Sequence, residues 1–169
     1  LGELPLYYDK SREKITEVQA FTVTPDGKKH RYAKIQDFNV YKGYPMYSDA
    51  MVKVVTFPQV TIGAVLEYQA TSVCKGDPIK NSYWNYAIFD FSAPIKEFNL
   101  SITIPKKLAI TYKEFGLEYK PKIIQNESAI TYSWHLENIE GETDDESYPP
   151  PPTLENFSNF IEFSSLKSW

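Results

Sequence analysis

The sequence has little of the chemistry from which catalytic and metal sites are built. Its 169 residues include one cysteine, Cys74, and two histidines, His30 and His135. A single cysteine excludes an internal disulfide. One cysteine and two histidines at no ligand spacing do not predict a metal site, and 7 glycines provide no glycine-rich loop for a phosphate. The sequence therefore predicts no catalytic residue, no metal and no cofactor.

Two specific sites are alternatives to this interpretation. A Cys–His site would need Cys74 within hydrogen-bond reach of a histidine, although a lone thiol near the end of a strand is more often structural. An acidic run could bind Ca²⁺ through carboxylate oxygens, but it lacks the Asp-x-Asp-x-Asp-Gly spacing and favours a solvated loop. The run comprises Glu140, Glu142, Asp144, Asp145 and Glu146.

Charge and hydropathy argue against two kinds of partner. The formal net charge is −4, and no excess of lysine and arginine is clustered as a nucleic-acid surface would require. No apolar run approaches the roughly 20 residues of a membrane helix, so we expect no membrane contact by this part of the protein. The chain starts at Leu1 and not at a methionine, and we expect it to be a segment of a longer protein.

The sequence is rich in alternating apolar and polar residues. Aromatic residues make up 15% of it, a composition that suits packed sheets. In the central stretch, Met51–Phe57 and Ala64–Ser72 both alternate, and Gly63 supplies a turn position between them. This pattern predicts a hairpin whose apolar face packs on a second layer. On the first strand Val52 and Val54 face away from Lys53; on the second Leu66, Tyr68 and Ala70 share a face.

The first fifty residues predict a second hairpin. Ile15–Thr24 is rich in β-branched residues and stops at Pro25-Asp26-Gly27, a strong turn signal, and His30–Ile35 can pair back. A helix over Ser11–Gln19 is the alternative, because its charged residues favour helix. Before this hairpin, Leu1–Tyr8 is either an edge strand or irregular.

The second half predicts further strands and an all-β fold. Ile95–Ile104 and Ile130–Leu136 alternate most clearly, and their inward residues are Phe98, Leu100, Ile102, Ile104, Ile130, Tyr132, Trp134 and Leu136. The other predicted strands are Tyr83–Phe91, Leu108–Tyr112 and Phe157–Phe163. Short strands between turns indicate an antiparallel β-sandwich. We predict that it spans residues 1–148, and that residues 149–169 are a proline-rich segment and last strand leading to a downstream domain absent from this chain.

Four aromatic residues are candidates for contacting a partner. Tyr83, Trp84 and Tyr86 could form a stacking platform for a sugar or a protein. The alternative, which we favour from the sequence, is a core strand covered on both faces. Trp169, the last residue, is expected to belong to the next segment because an isolated exposed tryptophan has little reason to be there.

The order of several segments resembles one bacterial domain of unknown function, which is found just before a transglutaminase-like domain in large exported or membrane-linked proteins. The strongest matches are Tyr47-Ser48-Asp49 leading to Phe57-Pro58, the Gly63 to Tyr68 segment, and Tyr132-Ser133-Trp134. The segments in order are AFTVTPDGKKH, YPMYSDAMVKVVTFPQVTIGAVLEYQ, PIKEFNLSITIPKKLAITY, TYSWHLENI and FSSLKSW. The resemblance covers Val18 to Trp169.

The resemblance implies a sandwich of immunoglobulin-like character with a non-catalytic role. In the family the catalytic Cys, His and Asp lie in the following cysteine-protease-like domain, and Cys74 matches none of them. We therefore expect an accessory module that packs on the downstream domain of the same chain or presents substrate protein to it, on the periplasmic or extracellular side. The alternative is a carbohydrate-binding module that uses Trp84 and Tyr86.

Overall fold

The computed structural model describes residues 2–41, 49–75, 82–88, 93–108, 110–115, 120–141 and 160–166. Within these ranges every regular element is a β-strand, and no helix is long and apolar enough to cross a membrane. The strands are β1 (Glu3–Asp9), β2 (Glu13–Val23), β3 (Lys29–Arg31), β4 (Lys34–Asn39), β5 (Ala50–Thr56), β6 (Val65–Cys74), β7 (Trp84–Ile88), β8 (Ile95–Pro105), β9 (Thr111–Phe115), β10 (Lys122–Gln125), β11 (Ala129–Ile139) and β12 (Phe160–Ser164).

The chain divides into two compact units, Leu1–Asp77 and Pro78–Trp169. Each contains two three-stranded antiparallel sheets. The orders are β1-β5-β4 and β3-β2-β6 in the first unit, and β10-β11-β8 and β7-β12-β9 in the second. The predicted all-β antiparallel sandwich is thus confirmed. The last strand, β12, is the central strand of its sheet and so is part of the second unit.

The core of the second unit lies between its two sheets. Trp134 and Leu136 of β11 and Ile161 of β12 are almost completely buried, and each such side chain contributes roughly 1.5–3 kcal/mol on leaving water. The buried indole is satisfied, because Trp134 Nε1 donates a hydrogen bond to Glu114 Oε1 at 2.7 Å. Since β8 and β11 pair over nearly their whole length, the inward residues predicted on both strands line this core.

The opposite side of the β8–β11 pair is polar, as predicted. Thr103 and Thr131 lie directly across from each other and their hydroxyls are 2.9 Å apart. His135 pairs with Asn99 in the same way, with Nδ1 2.7 Å from the amide oxygen. These cross-strand pairs leave the solvent side of the sheet hydrogen-bonded without adding to the core.

The core of the first unit is smaller. Ala20 of β2 and Val55 of β5 are fully buried, and Leu4, Leu6 and Ile35 pack around them. The predicted first hairpin is confirmed in part, because β2 pairs with β3 across the Pro25-Asp26-Gly27 turn, whereas Ile35 of the predicted return strand lies in β4 and pairs with β5. Gly27 has φ +82° and its N–H donates to Thr24 O at 2.8 Å. The strand β2 also excludes the alternative helix over Ser11–Gln19.

The predicted central hairpin is wrong. β5 pairs with β1 and β4, whereas β6 pairs with β2, so the two strands lie in different sheets. The alternation located both strands correctly but carried no information about their partners. The chain between them is a wide connection with turns at Gln59 and Gly63, both at positive φ, and not a tight hairpin turn.

The alternation predicted on both strands is confirmed, but the apolar faces expected to be buried are not the ones that form the core. On β5 the core side is that of Lys53 and Val55, and Val52 and Val54 lie on the other side, half-buried. On β6 the predicted apolar face is not covered, because Leu66 is 42% and Tyr68 56% exposed. An edge strand of a three-stranded sheet has neighbours on one side only, so its side chains are covered only where the facing layer extends over them.

We predict that Thr22→Val stabilises the protein by about 1–2 kcal/mol. Thr22 is fully buried, and its hydroxyl has no hydrogen-bond partner among the described residues. Valine has the same shape without the oxygen, so the cost of burying the hydroxyl is removed. Urea unfolding measures the effect. The control is Thr103→Val, which deletes a hydroxyl that does have a partner and should be neutral or destabilising. Equal or lower stability of Thr22→Val would contradict the prediction.

Candidate functional site

The outer side of the β7-β12-β9 sheet carries exposed aromatic residues. The register places Trp84 across from Ser164 and Thr111, Tyr86 across from Glu162 and Lys113, and puts Phe160 and Phe115 side by side. Because strand residues alternate, all of these lie on one surface. We call it the aromatic face: Trp84, Tyr86, Thr111, Lys113, Phe115, Phe160, Glu162 and Ser164.

The structure corrects the interpretation of this segment as a two-sided core strand. Trp84 is 39% and Tyr86 64% exposed, whereas Ala87 is packed against the core. β7 is an edge strand of its sheet. The opposite side of this sheet, which carries Ile161 and Phe163 of β12, is buried. The aromatic residues are therefore available to a partner.

Tyr83 lies on the opposite side from Trp84 and Tyr86. Its ring is 5.9 Å from that of the buried Phe163, and its backbone is bonded to Ser165 in both directions at 2.7 Å. The three predicted contact residues therefore do not form one platform. Tyr83 closes the edge of the core, whereas Trp84 and Tyr86 project from the sheet.

The aromatic face has an ordered end. The rings of Phe115 and Phe160 are stacked, with centroids 4.0 Å apart and an angle of 11°. Lys113 Nζ lies 4.4 Å above the ring of Phe115, an arrangement in which the ring quadrupole attracts the ammonium group. These contacts hold one side of the face rigid beside the more exposed Trp84 and Tyr86.

The surface is flat and not a pocket. The depression beside Lys113 and Glu162 has a volume of about 90 Å³, well below the roughly 300 Å³ at which small-molecule pockets begin. Trp84 and Tyr86 are about 6.6 Å apart along the strand, at roughly 3.3 Å per residue. The face can therefore stack against a planar or ring-shaped group and offer the Glu162 carboxylate, the Lys113 ammonium and the Thr111 hydroxyl around it.

The other predicted candidates do not form a site in the first unit. Cys74 is exposed and lies across from Glu13 at one end of β2, while His30 lies across from Thr22 near the other end. Those two positions on β2 are about 30 Å apart, at roughly 3.3 Å per residue. A Cys74–His30 pair is thus excluded by the register.

Both ring nitrogens of His135, in the second unit, contact residues of its own sheet. Besides Asn99, it contacts Glu137 Oε1 through Nε2 at 3.2 Å. Among the described residues, no group of three His, Cys, Asp or Glu side chains is placed to hold a metal ion. Trp169 and all but the first residue of the acidic run lie outside the described residues.

Sequence reasoning missed a polar cluster in the first unit. Lys53 Nζ contacts both carboxylate oxygens of Asp37, at 2.9 and 2.7 Å, and the hydroxyl of Tyr8 donates to Asp37 Oδ1 at 2.9 Å. The Lys53 side chain is only 15% exposed. The sequence signal that could have revealed this cluster is Lys53, which strand alternation places on the same side of β5 as Val55. Desolvation, together with the hydrogen bond and the charge of Asp37, raises the pKa of Tyr8.

The chain matches a family described as a domain of unknown function, DUF3857, over residues 1–142. The chain belongs to this family. Its fold is similar to the crystal structure of a candidate protease from Parabacteroides distasonis ATCC 8503, with a TM-score of 0.83 and 17% sequence identity. The likeness covers 98% of this chain and 33% of that one, so the chain spans about a third of the length of its structural relative. No curated protein matches the sequence.

The match to DUF3857 contains most of the aromatic face but not all of it. Residues 1–142 include β1 to β11, whereas β12 lies beyond the matched range. β12 nevertheless supplies Phe160, Glu162 and Ser164 to the centre of the aromatic face. The structural unit therefore extends past the sequence match, because β7 and β9 do not pair with each other and are joined only through β12.

In this DUF3857 chain we predict that Asp37→Asn lowers the pKa of Tyr8. The substitution removes the negative charge beside the phenol and leaves the Lys53 ammonium, and both changes favour the phenolate. In the unsubstituted protein, protonated Tyr8 contributes fully to stability below the ordinary tyrosine pKa of about 10. This contribution is lost as the pH rises through the higher pKa that Tyr8 has in the folded state. Because the Tyr8 pKa of the variant lies closer to that of the unfolded chain, the variant should lose less stability than the unsubstituted protein as the pH rises through this alkaline range.

NMR titration of ring-labelled tyrosine measures the pKa directly. The control is Glu67→Gln, which removes a carboxylate that is paired with Lys29 on a different sheet and should leave the Tyr8 titration unchanged. An unchanged Tyr8 titration in Asp37→Asn would show that the cluster does not set this pKa.

Proposed function

We propose that this DUF3857 chain is a non-catalytic accessory module of a larger protein whose catalytic domain is transglutaminase-like. Two observations support this. The sequence resembles the domain that precedes such catalytic domains, and the fold matches a third of a chain named as a candidate protease. In this proposal the protein is exported and works on the periplasmic or extracellular side. The reacting Cys, His and Asp lie in the catalytic domain and not in this chain.

The observation that carries the proposal within the chain is the exposed aromatic face on a rigid sheet. Tryptophan and tyrosine are enriched where proteins bind each other, since they bury a large area at a small cost in conformational entropy. Here Trp84 and Tyr86 stand on a strand whose other side is anchored in the core by Ala87. The module therefore binds through side chains that project from a strand whose backbone is fixed by its sheet. The partner is the catalytic domain, or the protein substrate that it processes.

We predict that Trp84→Ala weakens binding of the chain to its separately expressed catalytic domain by about 2 kcal/mol or more, the loss typical of an interface hot spot. The reason is the loss of the larger of the two exposed rings at the centre of the contact. Isothermal titration calorimetry measures the change, and Tyr86→Ala should act in the same direction.

A matched control is Tyr7→Ala. Tyr7 is 70% exposed but lies on β1 in the first unit and is not part of the aromatic face. It should bind as the unsubstituted chain does. Absence of binding by the unsubstituted chain, or equal loss in Tyr7→Ala and Trp84→Ala, would overturn the proposal that this face is the docking surface.

A second candidate function is carbohydrate binding, and the geometry of the same face favours it. Two exposed rings on one strand, with Glu162, Lys113 and Thr111 beside them, match what a sugar requires: apolar stacking and hydrogen-bonding groups at its rim. The flat surface suits an extended glycan chain better than a free monosaccharide. The module would then hold the larger protein on a glycan instead of contacting the catalytic domain.

Under this second function, Trp84→Ala and Tyr86→Ala each abolish retention of the chain on a glycan array or affinity gel, because stacking supplies most of the contact. Tyr7→Ala should be retained like the unsubstituted chain. Retention on glycans that is lost with Trp84, without any affinity for the catalytic domain, would replace the first function by the second. No retention of the unsubstituted chain would eliminate it.

A further inference from the structure

The free edge of β6 is the other unusual surface of the protein. All ten residues of β6 are exposed, among them Val65, Leu66, Tyr68 and Val73. Among the described strands only β2 pairs with it. The strand contains no proline and a single charged residue, Glu67. It therefore lacks two of the features, proline and dense charge, by which natural sheets protect an edge from pairing.

The register shows which backbone groups are unpaired. Tyr32 N donates to Ala20 O, so the backbone of Ala20 is turned towards β3 and that of Phe21 towards β6. Since Phe21 lies across from Glu67, the odd-numbered residues of β6 bond to β2. At the other end of β6, Lys75 N donates to Arg12 O at 2.6 Å. Here too an odd-numbered residue bonds towards β2.

The even-numbered residues of β6 therefore present their N–H and C=O groups to the open edge. They are Leu66, Tyr68, Ala70, Ser72 and Cys74. The irregularity in the β2–β6 ladder falls between Ile15 and Glu17 of β2, so β6 itself is uninterrupted. Donors and acceptors that repeat at the spacing of a strand are satisfied by another extended backbone.

These five positions are symmetric about Ala70. In an antiparallel pair of two β6 strands related by a two-fold axis, Ala70 lies across from Ala70 of the second copy, Tyr68 across from Ser72, and Leu66 across from Cys74. All five positions then form bonded pairs, giving about ten hydrogen bonds. The axis passes the smallest side chain of the strand, so nothing obstructs the approach.

The charges fit the same arrangement. Glu67 lies across from Val73 of the second copy and diagonal to its Lys75, an attractive neighbour, and no carboxylate faces another. If the two-fold axis were shifted by one residue along the strand in either direction, one of the outward-facing residues of each copy would lie across from a residue outside β6. All five outward positions of β6 therefore pair within the strand only when the axis lies at Ala70.

We propose that two copies of this chain associate through β6, with the two-fold axis at Ala70, to form a continuous six-stranded sheet in the order β3-β2-β6-β6-β2-β3. This dimer is independent of the proposed accessory function, since β6 and the aromatic face belong to different units of the chain. It gives the exposed residues of β6 cross-strand neighbours and removes the free edge.

The register is tested by cysteine pairs in a Cys74→Ser background. Gln69 lies across from Thr71 of the second copy at an unbonded position, where Cα atoms are about 4.5 Å apart, within disulfide range. Residue 69 of one copy and residue 69 of the other are diagonal neighbours whose Cα atoms are more than about 7 Å apart, so a disulfide cannot join them. Two chains of different length, one carrying Gln69→Cys and the other Thr71→Cys, are mixed under oxidising conditions.

The expected result is a mixed-length disulfide dimer, at a yield about tenfold above the self-linked product of either chain alone. Self-linking of Gln69→Cys at an equal yield would place the axis elsewhere and overturn the proposal. Equal, low yields in all samples would do so as well, because they would mean that the chains meet only by collision.

Sedimentation of the unlinked protein gives a second, independent test. The unsubstituted chain should dimerise as its concentration rises, and Ala70→Pro should remain monomeric. Proline at this position removes an outward N–H and leaves the bonds to β2 intact, so far-ultraviolet circular dichroism and the melting temperature should change little. A chain that is monomeric throughout, including one that binds an extended peptide at β6 instead, would contradict the proposal.

Discussion

Each sheet of this protein has three strands, and a three-stranded sheet in a two-layer unit can bury only one of its faces. The apolar residues that meet in the middle, such as Leu136 and Ile161, stabilise the unit. Other apolar residues of the described strands, such as Tyr86 and Tyr68, are exposed on an outer face or along an edge. The surfaces through which the protein can act follow from this geometry.

The polar groups near the two cores show how closely that boundary is kept. Glu114 reaches inward only far enough to accept the indole hydrogen of Trp134. Asp37 joins Lys53 and Tyr8 beside the first core and so satisfies a lysine that is largely removed from solvent. Thr22 is the exception among the described residues, with a buried hydroxyl that nothing satisfies. Burial costs free energy wherever a polar atom lacks a partner, so the margins of both cores are lined by bonded pairs.

The two exposed surfaces use different chemistry for recognition. The aromatic face presents rings and a few charges, and its specificity depends on side chains such as Trp84. The edge of β6 presents backbone groups, which any extended chain can satisfy, and its specificity depends on register and on the placement of Glu67. Both surfaces are exposed in this member of the DUF3857 family. The first-unit candidates for a Cys–His site, Cys74 and His30, lie far apart on their sheet.

The sequence by itself determined the class of the fold and the sides of the best strands. Alternation is a local property, so the inward set on β8 and β11, which includes Ile102 and Trp134, and the turn at Gly27 could be predicted. Partners and exposure were decided by the tertiary structure. β5 and β6 were expected to pair with each other, yet β5 is hydrogen-bonded to β1 and β6 to β2. Trp84 was expected in a core, yet β7 is at an edge. Both depend on contacts between residues far apart in the chain, and a local pattern does not encode which strand arrives beside another.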